Sequence, residues 1–301
     1  MNEPEFIAPR NLANLAAALR CATPGSRLVA GGTDLMLRLL AGDRPDLLID
    51  LSGLRELSFI RQEGGLIYIG ALTTFADLQR DAMLAAHAGV LSCAAAHVGS
   101  VQIRNIATLG GNVANASPCA DAIPALLVLD AAVGVLNRAG NVERRPLRDL
   151  LAEAGKTTLE PDEAIVDFSF VPLAEDQRSA FGKIGVRSSV AVAKLNAAMI
   201  VKLDAERRSI AEAKIAFGSI APAAFVDEGV AAVLRDQPVN NDTVEAFATA
   251  CSNMVSRSIP ERSSLPYKCH AVRGLARDLW SAIQPEATRL VTGSTGSEES
   301  D

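Results

Sequence analysis

Two short stretches carry residue types suited to binding an anion. The first is Ala30-Gly31-Gly32-Thr33-Asp34 and the second is Thr108-Leu109-Gly110-Gly111-Asn112. Glycine accepts positive φ and puts no Cβ in a ligand's way, so paired glycines let backbone N–H groups converge. Each pair precedes an apolar run that reads as a helix, whose N-terminus favours an anion. Each also has a plainer reading. Gly31 and Gly32 can simply make a turn that Asp34 caps, and Gly110 and Gly111 can turn the chain into a buried helix. Facing each other, two such loops would hold a diphosphate from both sides. That arrangement suggests an extended dinucleotide cofactor between two lobes.

Other chemistries have little to stand on. There is no GxGxxG after a strand, no GxxxxGK[ST], no GxSxG and no HExxH. The five cysteines, Cys21, Cys93, Cys119, Cys251 and Cys269, are scattered without a CxxC pair. They predict neither a zinc site, nor a disulfide framework, nor a Cys-ligated cluster. His87 and His97 lack acidic or Cys partners at ligand spacing and read as packing or surface residues. Arg104, just ahead of the second loop, either faces a phosphate or is an exposed or paired arginine. The net charge is −6, and no basic stripe interleaves with aromatics, so nucleic acid is not an expected partner. Asp130 breaks the apolar run after Asp121, so no membrane span is expected. The acidic start MNEPEF lacks a signal pattern. A reduced, cytoplasmic setting is the expectation.

The elements that must position the loops follow in order. Leu12, Leu15 and Leu19 have helical spacing. A strand at 27–30, a helix LMLRLL capped by Thr33 or Asp34, and a strand at 47–49 form a β-α-β unit around the first loop. A hairpin turns at Gly64-Gly65. Helices follow, one with Phe75 and Leu78 and one from Leu84 to His97. After the second loop Asp121 starts a helix, with Pro124 in its first turn. Strands are expected at 133–136 and 142–144, a helix from Pro146, and a strand at 164–171. PLAEDQ at 172–177 reads as a linker. Strands at 181–186, 190–203 and 210–218 make a three-stranded antiparallel sheet, and helices follow near 226–235, 242–256 and 267–284. The tail TGSTGSEESD is expected to be disordered. The fold class is α+β, with lobes at 1–55, 56–174 and 175–286 and a tail at 287–301.

AGGTDL at 30–35, TLGGNVANASPCAD at 108–121 and the order of elements resemble the FAD-binding subunit of molybdenum hydroxylases. That group includes the medium subunits of carbon monoxide, nicotinate and 4-hydroxybenzoyl-CoA dehydrogenases or reductases and the flavin domain of xanthine dehydrogenase. The segments FGKIGVRSSVAVAKLNAAM at 181–199 and RSSLPYKCHAV at 262–272 extend the resemblance, which runs from Phe6 to Trp280. It implies a two-lobed FAD-binding fold of the vanillyl-alcohol-oxidase type, plus a C-terminal lobe with a three-stranded antiparallel sheet and helices.

By the same resemblance, FAD contacts fall on Leu28, Val29, Ala30, Gly31, Gly32, Thr33, Asp34 and Leu35, and on Thr108, Leu109, Gly110, Gly111 and Asn112. A Cβ at Gly111 is expected to block positive φ and crowd the diphosphate. Asp121 matches the acidic residue that helps hold the cofactor, and it also reads as a helix N-cap. Val166 and Lys183 match further contact positions. Val98 falls where some relatives place an aromatic. The cysteine-rich insert of the 4-hydroxybenzoyl-CoA reductase type is absent, so Cys119 reads as structural. No catalytic acid or base and no metal site are implied. FAD is held non-covalently, because no His or Cys fits a covalent-flavin motif. The organic substrate is oxidised at a molybdopterin site on a large partner subunit. Electrons cross iron–sulfur clusters of a small subunit to the FAD and leave to an external acceptor, the assembly being a dimer of heterotrimers. A docking face is expected at the C-terminal lobe or the inter-lobe cleft. The alternatives are a stand-alone flavoprotein of the vanillyl-alcohol-oxidase type and a nucleotide-binding module without redox chemistry.

Overall fold

The protein is described by a computed structural model that covers residues 4–187, 190–206 and 208–284. The expected tail at 287–301 lies outside the described residues.

The N-terminal unit holds β1 (Glu5–Ile7), α1 (Leu12–Leu19), β2 (Arg27–Val29), α2 (Leu35–Leu40) and β3 (Leu47–Asp50). Its parallel sheet has the order β1-β3-β2. The strand β1 adds to the expected β-α-β unit. Asn11 caps α1 by accepting from Asn14 N, and Leu15 and Leu19 turn into the core. By contrast α2 buries none of its residues, and Met36, Leu37 and Leu40 are exposed.

The middle unit is a five-stranded antiparallel sheet, β4-β5-β10-β6-β7, with helices on one side. Its strands are β4 (Ile60–Glu63), β5 (Leu66–Gly70), β6 (Ala132–Asn137), β7 (Val142–Pro146) and β10 (Glu163–Phe170), with a side hairpin of β8 (Leu151–Glu153) and β9 (Lys156–Thr157). Its helices are α3 (Phe75–Arg80), α4 (Ala82–His87), α5 (Gly89–Ala96), α6 (Val101–Arg104), α7 (Leu109–Asn115), α8 (Ala122–Val128) and α9 (Leu147–Leu150). The single helix expected over 84–97 is two, because Ala88 leaves helical geometry at φ −153°. The helix expected from Pro146 ends after one turn, where Leu151 extends into β8. Alternation along β10, shifted once by a bulge between Ile165 and Asp167, explains the layering: Ile165, Phe168 and Phe170 face the helices, while Ala164 and Val166 face the N-terminal unit's core.

The C-terminal unit has strands β11 (Gln177–Ile184), β12 (Leu195–Leu203), β13 (Ser209–Gly218), β14 (Phe225–Val226) and β15 (Gln237–Pro238). Three antiparallel strands form its body, and β14 and β15 add to β13. The strand β11 starts inside the stretch read as a linker. The strand β12 starts at Leu195, later than the expected 190, and Val190 takes φ +50°. The helices are α10 (Glu228–Ala232), α11 (Asn241–Ser258) and α12 (Leu265–Ile283). Along β12, Leu195, Ala197, Met199, Val201 and Leu203 pack with α11 and α12 side chains, while Ala198 and Ile200 join the middle unit's core. Burial on both faces is why this strand reads as an unbroken apolar run.

Candidate functional site

The first glycine pair sits where β2 leaves its sheet. Gly32 takes φ +69°, a conformation that favours glycine. Gly31 has no such φ, and its requirement is steric: a Cβ there would lie 1.8 Å from Ile106 O. The first glycine segment therefore meets the backbone of Ile106 and Ala107, just ahead of the second segment. Among the described residues nothing accepts the N–H groups of Gly31, Gly32 or Thr33. Asp34 precedes α2 without a side-chain capping bond.

The second pair is built differently. Gly110 and Gly111 lie within the first turn of α7 and neither takes positive φ, contrary to the sequence expectation. Their donors are used within the protein. Leu109 N donates to Thr73 O at 3.0 Å and Gly110 N to Ala71 O at 2.8 Å. Thr108 caps the helix by accepting from Gly111 N at 3.1 Å. Gly110 is needed for close approach, since a Cβ would stand 2.8 Å from both the Cβ and the carbonyl oxygen of Ala71. A Cβ at Gly111 would meet only Thr108 Oγ1, at 3.0 Å. Asn112 keeps a buried Oδ1 with no hydrogen-bond partner among the described residues.

Between the pairs lies a cleft of about 400 Å³, lined by residues 26–35, by Ala107, Thr108, Gly110, Gly111 and Asn112, and by Phe75 and Val98. Of the residues singled out in the sequence, Leu28, Val29, Ala30, Gly31, Gly32, Thr33, Asp34, Leu35, Thr108, Gly110, Gly111 and Asn112 line it. Leu109 is fully buried in the middle core. Val166 lies at a bulge of β10, behind the wall, where its carbonyl accepts from Ala71 N at 2.9 Å. Sequence reading missed the far wall, made by Thr157, Leu159, Glu160, Pro161, Glu163, Ala164 and Ile165. These carry no motif; they arrive through sheet pairing. Glu163 is fixed there by two bonds from the Arg145 guanidinium, which hold its carboxyl below the usual range. None of the lining residues is His or Cys.

Asp121 and Lys183 meet each other outside the cleft lining. Lys183 Nζ lies 2.5 Å from Asp121 Oδ2, with side chains 7% and 6% exposed. Asn196 Nδ2 donates to Asp121 Oδ1 at 2.9 Å. Asp121 makes no side-chain capping bond to α8, so the N-cap reading is corrected. Its oxygens are taken by the C-terminal sheet instead. Burial pushes its carboxyl up, against the pull of Lys183. Arg104, left open as phosphate-facing or paired, donates to Val98 O and Gly99 O.

Comparison with known proteins agrees over nearly the whole chain. Residues 2–174 match the FAD binding domain in molybdopterin dehydrogenase, and residues 180–283 match the CO dehydrogenase flavoprotein C-terminal domain. The nicotinate dehydrogenase FAD-subunit of Eubacterium barkeri is 31% identical, over 94% of this chain and 97% of that protein. The xanthine dehydrogenase FAD-binding subunit of Escherichia coli O157:H7 is 30% identical, over 92% of this chain and 96% of that one. In fold, carbon monoxide dehydrogenase from Hydrogenophaga pseudoflava matches with a TM-score of 0.85 at 24% identity, covering 94% of this chain and 97% of that chain. The chain belongs to the FAD-binding subunits of the molybdopterin dehydrogenases and is an FAD-dependent, electron-transferring oxidoreductase subunit.

Proposed function

We propose that the cleft between the two glycine segments is the FAD site, with the diphosphate on the N–H groups of Gly31, Gly32 and Thr33. The carrying observation is that these donors line the cleft and have no protein partner among the described residues, so they are free to meet an anion there. Asn112, which lines the cleft and keeps a buried Oδ1 without a partner among the described residues, supports the same reading as a spare acceptor at the site. The cleft volume, about 400 Å³, suits a site of this class, for which roughly 300–1,000 Å³ is usual. Leu28 to Leu35, Thr108, Gly110, Gly111 and Asn112 form the contact lining. Leu109, Val166, Asp121 and Lys183, carried over by the resemblance, complete the proposed contact set beside that lining. The fold is of the vanillyl-alcohol-oxidase type, with lobes at 1–55, 56–174 and 175–286.

When bound, the flavin supplies the redox chemistry. This chain's residues bind it, orient it and shield one side from water. Attachment is non-covalent, since no cleft-lining residue is a His or Cys. The chain works as an electron outlet beside an iron–sulfur small subunit and a molybdenum-cofactor large subunit, in a dimer of heterotrimers. It passes electrons to an external acceptor. The exposed apolar side chains Met36, Leu37 and Leu40, next to the first loop, support a partner's docking at the cleft mouth. Among the described residues no helix is long and apolar enough to cross a membrane. The free cysteines support a cytoplasmic setting.

The test has two arms. Acid precipitation of the purified chain should release all its flavin into the supernatant; flavin left in the pellet contradicts non-covalent binding. The isolated chain should turn over no N-heterocycle, aldehyde or purine, and adding the two partner subunits should restore substrate-dependent reduction of an acceptor. Bleaching of the flavin by substrate in the isolated chain would overturn the electron-outlet role.

A further inference from the structure

The first turn of α12 carries the wrong charge for its position. A helix N-terminus is the positive end of the backbone dipole, so acidic side chains favour it and cations do not. Here that turn has no acidic residue, and Ser264 makes no side-chain capping bond. The Tyr267 N–H has no acceptor among the described residues. Lys268 lies in the turn and Arg262 stands just before it.

Lys268 is the sharper anomaly. It is 7% exposed, yet its ammonium donates only to Ser219 O, a neutral acceptor. An ammonium has three donors, so two are left over. Buried charges are normally paired with an opposite charge. Burial, and after it Arg262 and Lys194, hold this ammonium below the usual lysine range. Of the groups that act on it, only the Cys119 sulfur, when ionised, attracts it. Arg262 and Lys194 are exposed, and neither has a carboxylate partner among the described residues.

Three segments fix the lysine through Ser219, which takes φ +64°. Its N–H donates to Pro118 O at 2.7 Å and its hydroxyl to Ala193 O at 3.0 Å, while its carbonyl accepts from Lys268. A serine at positive φ persists only where its surroundings hold it. Ala193 brings Lys194 beside the node, and Pro118 brings Cys119. None of these residues lines the cofactor cleft.

We propose that Lys268, Lys194, Arg262 and the Tyr267 N–H form a second anion site, apart from the cofactor cleft, that takes a phosphate-type dianion. Three cations at a helix N-terminus that holds no acid match more than one negative charge.

The test uses the FAD-loaded chain, so that the cleft is filled, and inorganic phosphate as the probe, read by calorimetry. Phosphate should bind saturably at one site per chain, and acetate, with a single charge, roughly fivefold more weakly. Lys268→Met should weaken phosphate binding about tenfold or more, as expected for the loss of charge-assisted hydrogen bonds. Lys194→Gln and Arg262→Gln, which remove exposed charges, should each weaken it about twofold to fivefold. A titration with AMP separates the sources: binding as tight as that of phosphate assigns the site to a phosphate carried on a larger ligand, and much weaker binding assigns it to the free ion. No saturable heat, acetate as tight as phosphate, or an unchanged affinity in Lys268→Met overturns the site. If Lys268→Met does not fold, the two surface variants combined decide: unchanged phosphate affinity overturns the proposal, and a loss of about fivefold or more supports it.

Discussion

Gly31-Gly32 and Gly110-Gly111 each precede a helix in an apolar setting, but their backbones do different work. The first pair leaves a strand with its N–H groups unused, and its helix α2 buries nothing. The second pair is the opening turn of a helix whose donors go to Ala71, Thr73 and Thr108. Its glycines give room: Gly110 lets α7 settle on Ala71. A glycine pair thus marks either a donor cradle or a close approach, and the two are told apart by where the N–H groups go. On the proposed reading of the cleft, the first segment grips the cofactor and the second is the wall it grips against.

The largest effect should come where the first segment meets Ile106, just ahead of the second. Gly31→Val would put a Cβ 1.8 Å from Ile106 O, so backbone must move. Overpacking of this kind costs about 1–3 kcal/mol, and the cradle should lose roughly tenfold to a hundredfold in FAD affinity by the same amount. A fluorescence titration with FAD measures it; wild-type affinity would contradict the cradle. Next comes Gly110→Ala, with its Cβ 2.8 Å from Ala71. It should lose about 1–2 kcal/mol of stability in a denaturant melt, with a smaller change in affinity than Gly31→Val. An affinity loss larger than the stability loss would make the second segment a gripping element after all. Thr108→Ala should lower stability by about 1 kcal/mol through the lost cap and leave FAD affinity within about twofold, because only Gly111 N is released. Smallest is Gly111→Ala, which should keep stability within about 0.5 kcal/mol, the helix-propensity gain offsetting a tight contact with Thr108. A loss well above 1 kcal/mol would mean that the position needs positive φ.

Much of the frame was readable in the sequence, because its signals are local. Gly64-Gly65 marked the hairpin, period-two alternation marked β10, and the Leu12–Leu19 spacing marked α1. The two glycine segments were also legible as one site, yet their different roles were not. Whether Gly110 N is free depends on Ala71, which reaches it through the pairing of β5 with β10. The far wall at 157–165 was silent for the same reason. Asp121 looked like a cap by position, and the carboxylate's partners, Lys183 and Asn196, lie far along the chain. Long-range partners decide such polar side chains, and no local pattern encodes them.

The most direct test of the central claim is amide hydrogen exchange with and without FAD, resolved at residues 30–34 and 108–112. The account predicts fast exchange at Gly31, Gly32 and Thr33 in the FAD-free chain and strong protection on binding. It predicts protection of Leu109 and Gly110 in both states, since Thr73 and Ala71 already accept from them. Protection on binding confined to Leu109, Gly110 and Gly111, with residues 31–33 unchanged, would contradict it.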